Sequence, residues 1–110
     1  VKAILAQPDR STIEGQRDHA LFSFLYNTGA RIQEALDVCP GAIRFDSPSC
    51  VRLYGKGRKE RLSPLWPETV SLLRSQLIRQ PRADDEPIFV NRYGVPLGAS
   101  GVRFKLAQYV

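Results

Sequence analysis

The sequence predicts a mixed α+β fold, mostly helical, with one small three-stranded antiparallel sheet. Three observations carry this prediction. Ala20, Leu21, Phe24 and Leu25 recur at the spacing of one helical face. Val51 and Leu53 alternate with Arg52 and Tyr54, as in a half-buried strand. That strand runs into Gly55-Lys56-Gly57-Arg58-Lys59, whose glycines supply the backbone freedom of a hairpin loop.

Taken in order, a short helical stretch over Lys2–Ala6 is expected to break at Pro8, and Asp9 to Thr12 reads as a polar connection. The first long helix runs from about Ile13 to Asn27. It stops at Thr28-Gly29, glycine being the usual residue just past a helix end. A second helix begins near Ala30 and carries Arg31, Ile32, Glu34, Ala35, Leu36 and Val38 until Pro40-Gly41 ends it. Ala42 to Phe45 is the first strand, and Asp46-Ser47-Pro48-Ser49 is a turn. Val51 to Tyr54 is the second strand and Glu60 to Pro64 the third. Pro67 opens a helix that reaches Gln80, with Val70, Leu73 and Leu77 on one face. A polar loop to Pro87 then leads to the short extended segment Ile88-Phe89-Val90 and the turn Asn91-Arg92-Tyr93-Gly94. Leu97 to Val110 reads as the last helix, begun near Ser100.

A chain of 110 residues supports one modest core and not two. With 43% hydrophobic and 25% charged residues and no low-complexity tract, it is not a disordered chain. No apolar run approaches the roughly 20 residues of a membrane helix. Val1-Lys2-Ala3-Ile4-Leu5 is too short and too soon polar for a secretory signal. The chain holds no Met, position 1 included, and its last helix reaches Val110 without a cap, so an excised or processed piece is expected. Cys39 and Cys50 fit a reduced cytosolic protein, with a single disulfide between them left open. One histidine, His19, cannot assemble a zinc site of ordinary ligand count.

Charge is more telling in its placement than in its total. The net charge is +5, and +4 of it falls between Arg52 and Arg61, where five basic residues meet one acid, Glu60. Such concentration suggests one surface made for phosphates. Two segments within or near it have candidate chemistry. In Thr28-Gly29-Ala30-Arg31-Ile32-Gln33-Glu34, Arg31 follows a glycine break in the first turn of a helix. A guanidinium there can grip a phosphate with two parallel bonds. Glu34 at i+3 shares its face and could hold it, although a surface Arg–Glu pair has the same pattern. In Gly55-Lys56-Gly57, a lysine between two glycines at a hairpin tip can enter a narrow groove, while a merely solvated basic hairpin is the alternative. A nucleotide-binding P-loop is excluded because G-x-x-x-x-G-K-[ST] is missing and the loop joins two strands.

Together, the two segments form part of a longer ordered pattern. Arg17-Asp18-His19-Ala20-Leu21, then Leu25 to Leu36 with Thr28-Gly29-Ala30-Arg31 and Glu34, then Gly55-Lys56-Gly57-Arg58-Lys59-Glu60-Arg61-Leu62-Ser63-Pro64-Leu65 closely resembles the tyrosine-recombinase, or phage-integrase, family. Ile88 to Leu97 looks like that family's F-x-N-x-x-G-x-P-L segment, so the resemblance spans about Gly15 to Val110. It implies that residues 1–110 are the N-terminal part of a tyrosine-recombinase catalytic domain. In such enzymes a tyrosine attacks the scissile phosphodiester of DNA. Arg31 would then contact the scissile phosphate, Lys56 would protonate the departing 5′ oxygen, and Glu34 would support the arginine. Arg52, Arg58, Lys59 and Arg61 are expected to add DNA-backbone affinity.

The family's later motifs, a H-x-x-R box, a second His or Trp and the tyrosine nucleophile, do not occur in the chain. Tyr109 precedes the place where that box would come and reads as a helix aromatic. The fragment is therefore expected to be inactive alone, a piece of a mobile-element integrase or site-specific recombinase. The alternative is a non-catalytic nucleic-acid-binding module. The expected partners are double-stranded DNA and, in the full-length protein, other recombinase protomers, with no membrane. A dimer of the fragment through exposed apolar surface is also expected. No metal or cofactor is expected, because arginine and lysine supply the charge stabilisation. A cytoplasmic, bacterial location follows, nucleoid-associated when DNA is bound.

Overall fold

The computed structural model of the chain describes residues 8–109, the side chains of Arg58 and Tyr109 excepted. The helix expected over Lys2–Ala6 lies outside the described residues. Helices are α1 (Ile13–Thr28), α2 (Ile32–Leu36), α3 (Pro67–Arg79) and α4 (Ala99–Tyr109). Strands β1 (Ile43–Arg44), β2 (Cys50–Tyr54) and β3 (Glu60–Pro64) form one sheet in the order β1-β2-β3, both pairings antiparallel. The mostly helical α+β fold read from the sequence is the fold observed.

Helix α1 starts where Thr12, in extended conformation, accepts the Gly15 N–H on its side-chain oxygen at 2.9 Å, a standard N-cap bond. It ends at Gly29, whose φ of 66° is the left-handed conformation that other residues adopt only at a cost. The sequence indicated one apolar stripe on this helix. The structure buries Phe22 and Ser23 as well as Ala20, Leu21 and Phe24. A helix covered on more than one side needs no single stripe. Its neighbours are α3, which contributes Val70 and Leu73, and the segment Ile88-Phe89, both residues fully buried. The Phe24 and Phe89 rings meet with centroids 6.2 Å apart at 53°, within the favourable range for tilted aromatics.

The sheet covers another side of this core. Val51 and Leu53 are fully buried, while Arg52 and Tyr54 between them are exposed, the alternation of a one-sided sheet. Two boundaries differ from the sequence reading. Pro40–Ala42 is a 3-10 turn, which shortens the first strand to Ile43–Arg44. Ile88-Phe89-Val90, read as a short extended or buried segment, is buried outside the sheet, Val90 making an isolated bridge to Pro96. Helix α2 stops at Leu36 because the Val38 N–H turns to Ala35 and the Val38 carbonyl accepts the Ile88 N–H. A long-range bond thus takes the group that further helix would need.

Candidate functional site

Two turns place the candidate residues. After Gly29, the Thr28 hydroxyl donates to the Phe24 carbonyl at 2.9 Å and accepts the Ala30 N–H at 3.2 Å, which steers the chain out of α1. Arg31 follows in extended conformation (φ −70°, ψ 153°) and is the residue before α2, not a member of its first turn. The reason is local. The Arg31 N–H donates to Glu34 Oε1 at 2.9 Å, one half of a capping box. An arginine side chain has no acceptor with which to return the other half.

At the second turn, the Gly55 N–H donates to the Lys59 carbonyl at 3.0 Å and closes the hairpin, whose tip is a 3-10 turn over Lys56–Arg58. Gly57 takes a φ of 75°, the backbone freedom expected there. Lys56 is exposed at this tip.

Glu34 joins the two turns. It is only 8% exposed, although a carboxylate is costly to bury without partners. Its Oε1 accepts both the Arg31 N–H and the Arg61 guanidinium, the latter at 3.3 Å. Its Oε2 is buried without a hydrogen-bond partner among the described residues. Gly55 lies beside that second oxygen, where a Cβ would stand 3.4 Å from it, an ordinary van der Waals contact. The Arg31 backbone and Gly55, the residue before Lys56, therefore meet at one buried carboxylate although they lie far apart in the chain. Among the described residues neither the Arg31 guanidinium nor the Lys56 ammonium enters an ion pair, and both residues are exposed. The sequence reading had Glu34 hold the Arg31 guanidinium. In the structure it holds that residue's backbone, and the guanidinium it meets belongs to Arg61.

The basic stretch is less uniform than its charge suggested. In an antiparallel pair, opposed residues share a face of the sheet. Leu53 opposes Arg61, whereas Arg52 opposes Leu62 and Tyr54 opposes Glu60. Arg61 thus lies on the face that Leu53 buries, and Arg52 on the other. Arg52 donates to the Gly41 carbonyl at 3.3 Å and sits 3.9 Å from the Glu60 carboxylate, a rim pair half open to solvent. Lys59 is exposed beside the tip, and the side chain of Arg58 is outside the described residues.

The remaining polar candidates are occupied or peripheral. Cys39 and Cys50 are free thiols, and Cys39 lines a cavity of about 150 Å³ with Glu34, Asp37, Arg52 and Tyr54. Burial, reinforced by the Asp85 and Asp37 carboxylates, pushes the Cys39 thiol above its ordinary range, the opposite of what a nucleophile needs. Tyr54 donates to Glu60 at 3.3 Å, Tyr26 packs edge-on against Trp66, and Tyr93 is 76% exposed. The Tyr109 side chain is outside the described residues. Among the described residues, no three His, Cys, Asp or Glu side chains gather as a metal site requires, and no helix is long and apolar enough to cross a membrane.

Two sets of residues had motifs in the sequence but no role. The Asn27 side-chain amide donates to the Pro64 carbonyl and its oxygen accepts the Trp66 N–H, at 3.0 and 2.8 Å. Asn27 thereby ties the end of α1 to the junction of β3 and α3. Arg17 and Asp18, each 4% exposed, form a buried ion pair at 2.9 Å, and Lys105 of α4 reaches the second Asp18 oxygen at 2.8 Å.

The sequence matches the Phage integrase family over residues 1–110. The chain belongs to that family. Among curated phage-integrase relatives it is 37% identical to the integrase/recombinase y4rC of Sinorhizobium fredii, over 99% of this chain and 33% of that protein. To the tyrosine recombinase XerC of Chlamydia caviae it is 34% identical, over 100% of this chain and 36% of that one. The chain thus spans about a third of the length of the curated relatives it matches. Its fold is that of XerH site-specific recombinase bound to difH substrate, with a TM-score of 0.80 at 24% identity, covering 98% of this chain and 33% of that one. XerA recombinase follows at a TM-score of 0.77 and 20% identity, covering 98% and 38%. The integrase segment therefore has the tyrosine-recombinase catalytic-domain fold.

Proposed function

We propose that residues 1–110 are the N-terminal part of a tyrosine-recombinase catalytic domain that binds double-stranded DNA and brings Arg31 and Lys56 to one scissile phosphate. The observation that carries this reading is the shared anchor. Both turns meet at the buried Glu34 carboxylate, while the two cations they present have no ionic partner among the described residues. A pair of unneutralised cations around one point is suited to a dianionic or developing negative charge. XerC relatives and the XerH complex with its difH substrate support DNA as the partner.

In this reading the Arg31 guanidinium holds the non-bridging phosphate oxygens with two parallel bonds and keeps its charge throughout. Lys56, free to rotate on a glycine-flanked tip, delivers a proton from its ammonium to the departing 5′ oxygen. Glu34 is a positioning residue for both. Arg52, Arg58 and Lys59 neutralise flanking phosphates. The exposed apolar side chains Phe104 and Ile78, 65% and 79% accessible, are where further protomers or a second copy of the chain would bury surface.

Equilibrium binding to duplex DNA across salt concentration tests the proposal. With about four phosphates neutralised, log affinity should fall with log salt at a slope of roughly −3 to −4. That is a loss on the order of a hundredfold between about 50 and 200 mM. A slope shallower than about −1 contradicts a phosphate-binding surface of this size.

A further inference from the structure

Arg61 stands in the basic stretch yet is placed differently from its neighbours. Its strand position opposes Leu53, so it leaves the sheet on the core-facing side, opposite to Arg52. Its guanidinium ends 3.3 Å from Glu34 Oε1, and Glu34 is the least exposed carboxylate of the candidate site. The same oxygen accepts the Arg31 N–H at 2.9 Å. The other Glu34 oxygen rests against Gly55, the residue before Lys56. Arg61 and Gly55 belong to the two arms of one hairpin, one on β3 and one at the end of β2. Glu34 belongs to the helix that Arg31 opens. The guanidinium–carboxylate bond is thus the only ion pair among the described residues that ties the Lys56 hairpin to the Arg31 turn.

We propose that Arg61 is a positioning residue, which acts through buried Glu34 to hold the Lys56 loop in register with Arg31, and does not itself contact a DNA phosphate. The inference rests on the reading that Arg31 and Lys56 serve one phosphate. The physical reason is the cost of a buried carboxylate: once Glu34 is out of water, it needs a cation, and among the described residues Arg61 is the one it has. Gly55 adjoins Glu34 Oε2, so the residue next to Lys56 and the carboxylate that Arg61 meets sit side by side.

The test combines amide hydrogen exchange with salt-dependent binding to a duplex of arbitrary sequence, on the full chain and its Arg61→Ala, Arg61→Lys and Glu34→Gln variants. If Arg61 positions, Arg61→Ala speeds exchange of the Arg31 N–H by about tenfold, the loss of one charge-assisted restraint. The salt slope then stays at the wild-type value, and Arg61→Lys recovers most of the protection. In the Glu34→Gln background, Arg61→Ala should add no further acceleration, since the link it served is already neutral. The opposite pattern, an unchanged Arg31 exchange with the salt slope reduced by about 0.9, makes Arg61 a phosphate contact and overturns the proposal. Should Arg61→Ala not fold, Arg61→Gln, which keeps most of the side chain but not the charge, takes its place: faster Arg31 exchange at an unchanged salt slope supports the proposal, and unchanged exchange with a reduced slope overturns it. A flat salt slope in the wild type would instead defeat the DNA-binding reading, whatever the exchange data show.

Discussion

Asp18→Ala is expected to destabilise the chain by about 3–5 kcal/mol, read from the urea unfolding midpoint, because it leaves buried charge without a counter-charge. Among the described residues, Asp18 is the only acid within ion-pair reach of Arg17, whose side chain is 5% exposed and so has little water to turn to. Among the described residues, the Arg17 guanidinium would keep just its 3.3 Å bond to the Val90 carbonyl. Lys105 differs, being 39% exposed at its side chain, so it rehydrates when Asp18 is lost. Lys105→Ala is accordingly expected to cost much less than Asp18→Ala, since Arg17 still neutralises the carboxylate. The comparison isolates the burial term. Equal effects of the two variants, or a loss below about 1 kcal/mol for Asp18→Ala, would mean that the pair is solvated and does not hold α4 to α1.

The second large effect concerns function. Arg31→Ala and Lys56→Ala are each expected to weaken duplex-DNA binding by tenfold or more at low salt, because a hydrogen bond to a charged group contributes about 1.5–3 kcal/mol. Each should flatten the salt slope by less than the roughly 0.9 of a wholly lost phosphate contact, because the other cation stays on the shared phosphate. Lys59→Ala, at an exposed position with no fixed geometry, should flatten the slope by about 0.9 but cost less affinity. The two central variants should not be additive, since cations that share one phosphate are coupled. Fluorescence anisotropy with a labelled duplex measures all of these.

The sequence made the sheet and the long helices legible because their periods are strong. The β3 limits, Glu60–Pro64, agree with those read from the chain, since glycines and prolines bracket that strand. Helix α2 was overextended because Pro40 is the first local stop signal, whereas the real one is the Val38 carbonyl meeting Ile88, a contact between distant segments. The same distinction governs the candidate site. Arg31 and Lys56 stood out by their glycine neighbours, but nothing local says that Glu34 lies against Gly55 or takes Arg61 as its partner. Strand alternation could not separate Arg52 from Arg61, since they lie on two arms of a hairpin and only the pairing register decides which face each side chain takes. The Arg17-Asp18 motif was visible, while Lys105, its third member, is 87 positions from Asp18 and could be joined to it only by the fold.

The proposed convergence of Arg31 and Lys56 on one phosphodiester is tested most directly by titrating the isotopically labelled chain with the dinucleotide dTpT, which carries a single such group, and following backbone amide shifts. A shared site predicts that signals from Arg31 to Glu34 and from Gly55 to Lys59 move along one binding curve, and that Arg31→Ala abolishes the response of the Lys56 loop as well. Two separate curves, or a Lys56 response that survives intact in Arg31→Ala, would contradict it.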